Sequence, residues 1–165
     1  MLLNSNQIAN HVIESDFSKR AQIGIDLSVC KIERIDVGSV VYKDKTHIDA
    51  TGYHELPTQL IDNKDCWRLE KGVYSVTFNE GIKVPANAAA KITHRSSLYR
   101  TGTIIESPWW DPGFYCDQMN TTMIVTSVII IEKNARIGQI AFWKVDEVGE
   151  QYDGQWQGLN TAYKK

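Results

Sequence analysis

Along most of this chain apolar and polar positions alternate in short runs broken by Gly, Asp and Asn, a pattern that predicts strands. Residues 23–29, 39–42, 73–78, 88–93, 102–105, 122–131 and 136–144 are rich in β-branched and aromatic side chains and read as strands. Turn signals recur at Asn79-Glu80-Gly81, Pro85-Ala86-Asn87, Asp111-Pro112-Gly113 and Glu132-Lys133-Asn134. At the start, residues 4–14 carry Ile8, Val12 and Ile13 behind capping-type residues, which predicts a short N-terminal helix or turn. Residues 44–66 are polar and mixed and predict an irregular excursion or a hairpin. Many short strands without interleaved helices predict an all-β barrel or sandwich.

Composition narrows this picture without redirecting it. A chain of 165 residues, 42% hydrophobic and 23% charged, predicts one domain over residues 1–165 with a sizeable core. The net charge of −2 supplies no basic field, so nucleic acid is not an expected partner. No secretory signal and no membrane-length apolar run is visible, the densest being residues 128–131, so no membrane is expected. Cys30, Cys66 and Cys116 share no metal-ligand spacing and read as reduced thiols, which predicts a cytoplasmic location. The tail from Gly149 is rich in Gly and Gln yet carries Tyr152, Trp156 and Tyr163. Either a mobile arm that orders over a ligand or neighbouring subunit, or a frayed terminus, has that composition.

The densest chemistry lies in His94-Arg95-Ser96-Ser97-Leu98-Tyr99-Arg100-Thr101-Gly102, where two hydroxyls sit between two guanidiniums. Guanidinium forks and hydroxyls make a phosphate cradle. Surface arginines with capping serines would read the same way. Asp111, at a Pro-Gly turn, is either a carboxylate aimed at a ligand or a turn initiator. Asp26, between Ile25 and Leu27, needs a cation or hydrogen-bond donors if buried, and otherwise points outward from an amphipathic strand. Gln139, in an apolar strand, needs partners for its amide if buried. The four histidines are scattered, and neither the zinc-deaminase pattern nor a Walker-type loop occurs.

In order, Gly24-Ile25-Asp26-Leu27, Arg95 to Gly102, Trp110-Asp111-Pro112-Gly113-Phe114 and Ala135-Arg136-Ile137-Gly138-Gln139-Ile140 resemble four successive motifs of the dUTPases and the related dCTP deaminases. The ending Tyr152-Asp153-Gly154-Gln155-Trp156-Gln157-Gly158 is similar to the close of archaeal-type dUTPases. The resemblance runs from about Gln22 to Gly158.

It implies a distorted, jelly-roll-like β-barrel with a C-terminal arm over about residues 149–165, forming a homotrimer with sites between subunits. It implies hydrolysis of dUTP to dUMP and pyrophosphate with Mg²⁺ on the triphosphate. By position, Asp111 would orient and deprotonate the attacking water. Arg95, Ser96, Ser97, Arg100 and Gln139 would hold phosphates. Asp26 would position the Mg²⁺-triphosphate indirectly. The hairpin containing Ile105, Ser107 and Trp110 would present the base site, and Tyr152, Trp156 and Gln157 would cover it. dCTP deaminases of this fold use a glutamate about ten residues past the turn aspartate, where this chain has Thr121 and no carboxylate between Gln118 and Ile131. That departure argues for hydrolysis over deamination. The alternatives are a dCTP deaminase or a pyrophosphatase for a modified deoxynucleotide on the same fold, or a catalytically weak nucleotide-binding or regulatory relative. Phe114-Tyr115-Cys116 and the bulky Pro108-Trp109-Trp110 also depart from the pattern, at a subunit or phosphate contact and at the base pocket.

Overall fold

A computed structural model of the chain describes residues 1–36, 39–43, 46–48, 50–146, 150–154 and 157–158. Six antiparallel strands close on themselves. Ile25–Ile35 pairs Gly72–Phe78, which pairs Asn120–Val125, then Thr103–Glu106, then Ala88–His94, then Arg136–Lys144, which returns to Ile25–Ile35. Closure leaves no free edge in the barrel, which is how an all-β fold avoids pairing with other chains. The expected all-β barrel is therefore the observed one.

The period of two decides what lies inside. Ile25, Ile140 and Ile92 stand opposite one another on three neighbouring strands, and all three are 0% exposed. With Leu27, Val76, Phe78 and Phe142 they fill the barrel. The next row, Asp26, Gln139 and Thr93, therefore points to the outer face. Lys19, on the short strand Lys19–Arg20, continues that row beyond Asp26.

The N-terminal helix spans Ser5–Ile8, followed by one 3-10 turn at Ala9–His11. Asn4 Oδ1 accepts from the Asn6 and Gln7 amides at 3.1 Å each, and Gln7 Oε1 accepts from the Asn4 amide at 3.0 Å, a reciprocal cap. One sequence expectation is corrected, and another, open between an irregular excursion and a hairpin, resolves to a hairpin. Residues 122–131 are not one strand. Asn120–Val125 belongs to the barrel, whereas Ile129–Glu132 pairs with Lys64–Leu69 in a separate small sheet, and residues 126–128 turn between them. Both halves nevertheless pack into one core: Met123 and Val125 from the first and Ile131 from the second are buried in it, with Ile129 packed against it. In the 44–66 stretch, Gln59–Ile61 and Lys64–Leu69 form a hairpin turning at Asp62 and Asn63, both at positive φ (50° and 60°). Tyr53–Glu55 adds to the far end of Ile25–Ile35. Among the described residues no helix is long and apolar enough to cross a membrane.

Candidate active site

Three of the four sequence motifs meet on the outer face of the barrel. Asp26 is 4% exposed although it faces away from the core, because the Arg95 side chain lies over it. Arg95 Nε sits 3.0 Å from Asp26 Oδ2, and Gln139 Nε2 donates to Asp26 Oδ1 at 3.2 Å. The carboxylate is thus provided for on both oxygens, which is what burying it requires. Arg95 is fixed in turn: its amide donates to the Ile137 carbonyl and its Nη1 to the Arg136 carbonyl, both at 3.0 Å. The segment Arg95 to Gly102 is a strand end followed by the single helical turn Ser96–Tyr99, with only Leu98 buried. Ser96, Ser97 and Arg100 stand exposed on the helical turn that follows Arg95. Gly24 makes the approach possible. Its φ is +111°, and a Cβ there would lie 2.2 Å from the Ile140 carbonyl oxygen.

Asp111 is placed elsewhere. Trp110 makes a two-way backbone pairing with Ala90, its N–H to the Ala90 carbonyl at 2.8 Å and its carbonyl from the Ala90 N–H at 3.0 Å. Gly113 and Phe114 are held against Val84. The Asp111 turn therefore sits at the Ala88 end of the Ala88–His94 strand, while Asp26, Gln139 and Arg95 gather at the His94 end. Ala90 and Thr93 alone are separated by about 10 Å along a strand. Within one chain, the exposed Asp111 carboxylate and the Asp26–Arg95–Gln139 group are two separate half-sites.

The remaining candidates divide by burial. Ile105 is 0% exposed in the core, and the Ser107 hydroxyl is occupied, accepting from the Ile92 amide at 2.9 Å and donating to the Pro108 carbonyl at 2.8 Å. Trp110 is 7% exposed, whereas its neighbour Trp109 is 51% exposed and lies edge-on to Trp143. Thr121 is buried and donates to the Glu106 carbonyl at 2.6 Å. The described part of the arm folds back on the Asp111 turn of its own chain. The Tyr152 amide donates to the Pro112 carbonyl, and the Tyr152 ring meets Phe114 with centroids 5.4 Å apart. Gln157 accepts from the Tyr115 amide at 3.0 Å and donates to the Gly113 carbonyl at 2.8 Å. Trp156 and Tyr163 lie outside the described residues.

The sequence reading missed two features. Lys19 and Arg20 line an open cleft of about 380 Å³ together with Ala21, Gln22, Asp26 and Arg95. Glu80, in what reads as a plain turn, is 0% exposed and accepts four hydrogen bonds, from Ser15 Oγ, Ser18 Oγ, Ser28 Oγ and the Ser28 amide. The signals were present in Ser15, Ser18 and the Lys19-Arg20 pair ahead of Asp26, but nothing local links them to Glu80. All three cysteines are free thiols, and burial pushes Cys116 up to about 12.

A six-stranded barrel with this outer-face carboxylate–guanidinium–amide group defines the class, and residues 4–145 match the dCTP deaminase-like family, to which the chain belongs. Within it, the chain is 33% identical to the probable deoxyuridine 5'-triphosphate nucleotidohydrolase of Methanosarcina acetivorans, over 97% of this chain and 98% of that protein. It is also 33% identical to the deoxyuridine 5'-triphosphate nucleotidohydrolase of Methanocaldococcus jannaschii, over 96% of this chain and 99% of that one. Among solved structures, the 2'-deoxycytidine 5'-triphosphate deaminase of Agrobacterium tumefaciens shares the fold, with a TM-score of 0.64 at 16% identity. That match covers 86% of this chain, which spans about half (47%) of the deaminase chain. The native EIAV dUTPase matches with a TM-score of 0.50 at 15% identity, over 88% of this chain and 96% of that one.

Proposed function

We propose that this protein hydrolyses dUTP to dUMP and pyrophosphate. The observation that carries the reading is the Asp26–Arg95–Gln139 group, which brings three separated motifs together at the start of the turn that exposes Ser96, Ser97 and Arg100. Such a face suits a triphosphate: fixed guanidinium and amide donors, exposed hydroxyls and a second arginine. The names of the relatives point to the same substrate. In the reaction, a water oxygen attacks the α-phosphorus, the bond to the α,β-bridging oxygen breaks, and Asp111 takes the water proton. Asp111 suits a base because its carboxylate is exposed and, among the described residues, makes no hydrogen bond or ion pair with another side chain.

The separation of Asp111 from the phosphate face supports the homotrimer, in which one subunit's Asp111 half-site would complete another's phosphate half-site. The arm's residues Tyr152 and Gln157 brace the Asp111 turn, and Trp156 is assigned with them to the base. Since Ile105, Ser107 and Trp110 are turned into the packing, recognition of uracil by this segment falls to its backbone groups. Among the described residues no group of three acidic, His or Cys side chains could hold a metal, and both Asp26 oxygens are engaged. That donor set fits a Mg²⁺ carried by the triphosphate, since this ion keeps waters and phosphate ligands rather than a protein cage. Bound there, it would neutralise phosphate charge. Thr121, with its hydroxyl committed to the Glu106 carbonyl, offers no carboxylate for deamination.

The test is a product assay with Mg²⁺ and dUTP, dCTP, dTTP or UTP. Pyrophosphate and dUMP from dUTP alone are expected, falling by about 10²–10⁴-fold in Asp111→Asn. Ammonia from dCTP would overturn the reading in favour of a deaminase, and silence on all four would point to a modified nucleotide or a regulatory role.

A further inference from the structure

The cleft beside Asp26 holds three cations and one carboxylate, and their pairing is uneven. Arg95 is paired with Asp26. Arg20 is paired with Glu14, its Nη2 and Nε at 2.8 and 3.0 Å from the same carboxylate oxygen. Lys19 stands opposite Asp26 in the strand register and on the same face, yet among the described residues no carboxylate lies within ion-pair distance of it. An exposed two-residue strand has little of its own to fix it. It is fixed from behind by Glu80, whose buried Oε1 accepts from Ser15 at 2.5 Å and Ser18 at 2.9 Å, the turn that leads directly into Lys19. The same carboxylate accepts from the Ser28 hydroxyl at 2.7 Å and amide at 2.9 Å, two residues after Asp26. One buried group therefore ties the Lys19 strand to the Asp26 strand.

We propose that Lys19 is a further substrate-binding residue that contacts the phosphates of the nucleotide, and that Glu80 is the positioning residue that holds it at the cleft. The proposal rests on the reading above for the identity of the substrate, but the chemistry it needs is only that of a polyphosphate. Lysine suits this place as a point charge on a flexible stem, beside a guanidinium already committed to Asp26.

Two measurements separate this inference from the proposed activity. The first is dUTP turnover by wild type, Lys19→Ala, Lys19→Arg and Glu80→Gln. The second is calorimetric binding of inorganic tripolyphosphate to the same proteins. For Lys19→Ala we expect a KM about tenfold higher with kcat within about twofold, and a matching loss of tripolyphosphate affinity. Lys19→Arg should recover most of both. Glu80→Gln should raise KM in the same direction, with no further rise when Lys19 is already Ala; if it does not fold, Ser18→Ala takes its place. Normal turnover with unchanged KM in Lys19→Ala would overturn the Lys19 assignment and leave the hydrolase reading intact. No dUTP turnover by wild type, with tripolyphosphate binding that still weakens in Lys19→Ala, would do the reverse. Wild type that binds no tripolyphosphate and saturates with no nucleotide would overturn both. An additional loss from Glu80→Gln in the Lys19→Ala background would remove Glu80 from the positioning role.

Discussion

Replacing Arg95 with methionine tests whether the Asp26 pair is what holds the site together. The substitution keeps most of the stem and removes the guanidinium, leaving a 4% exposed carboxylate with the Gln139 amide as its side-chain donor. At a separation of 3.0 Å the gross attraction is about 5 kcal/mol at an effective dielectric near 20. Breaking a fully buried pair costs about 3–5 kcal/mol, because the remaining charge stays desolvated. Here the arginine side chain is 32% exposed against 5% for the aspartate, so water reaches one partner, and the expected loss falls to about 2 kcal/mol. The contact of Arg95 with the Arg136 carbonyl is lost as well, adding about 1 kcal/mol at most. The informative variant is the second one. Asp26→Asn in the Arg95→Met background removes the stranded charge while its carbonyl can still accept from Gln139, so it should recover about 1 kcal/mol or more of the lost stability. Urea unfolding of wild type, Arg95→Met and the double variant at pH 7, with equal m-values, reads both numbers. A loss below about 0.5 kcal/mol in Arg95→Met, or a further loss on adding Asp26→Asn, would show that Asp26 is not held by charge pairing.

Two other outcomes follow from the packing. Gly24→Ala should destabilise by about 3 kcal/mol or more, since a Cβ at φ +111° would meet the Ile140 carbonyl oxygen at 2.2 Å. Gly72→Ala, whose nearest neighbour is the Tyr74 ring at 3.3 Å, should cost under about 1 kcal/mol; thermal melts compare them, and equal losses would refute the argument. Burial holds the Cys116 thiol protonated, moving it from an ordinary 9.0 up to about 12. The unfolded chain ionises first, so this group's contribution is complete below pH 9 and is lost as pH rises towards 12, at about 1.4 kcal/mol per pH unit. In Cys116→Ala, the stability–pH curve between pH 9 and 10.5 should be flatter by about that slope; an unchanged curve would refute it.

The barrel strands were legible because their inward rows are uniformly apolar, as in Val76 and Phe78 or Ile137, Ile140 and Phe142. The motif residues were legible because their chemistry is concentrated and their order is fixed. What local pattern could not show is which side chains the closed barrel brings together. Asp26 reads equally well as a solvent-facing residue until Arg95 and Gln139 are known to lie over and beside it. Glu80 looks like turn punctuation because its donors lie 52 to 65 residues away. The Lys64–Leu69 strand was hidden by charged residues on its exposed positions, with Cys66, Trp67 and Leu69 the buried ones. The break between Val125 and Ile129 was hidden because both flanks are apolar and pack into the same core.

The seam that shuts the barrel has a consequence for how the protein is made. Gln139 and Asp26 are 113 residues apart, and the strand carrying Gln139 is the last of the barrel to leave the ribosome. At ordinary synthesis rates Asp26 waits roughly 6 to 23 seconds for that partner to be made. Such long-range pairing also places this fold among the slower folders, with unpaired strand edges open to other chains during the wait. A nascent chain stalled between residues 112 and 135 would hold Asp26, Arg95 and Asp111 and still lack the strand whose Gln139 completes the Asp26–Arg95–Gln139 group. The group that gathers three separated motifs exists only once the closing strand has been made.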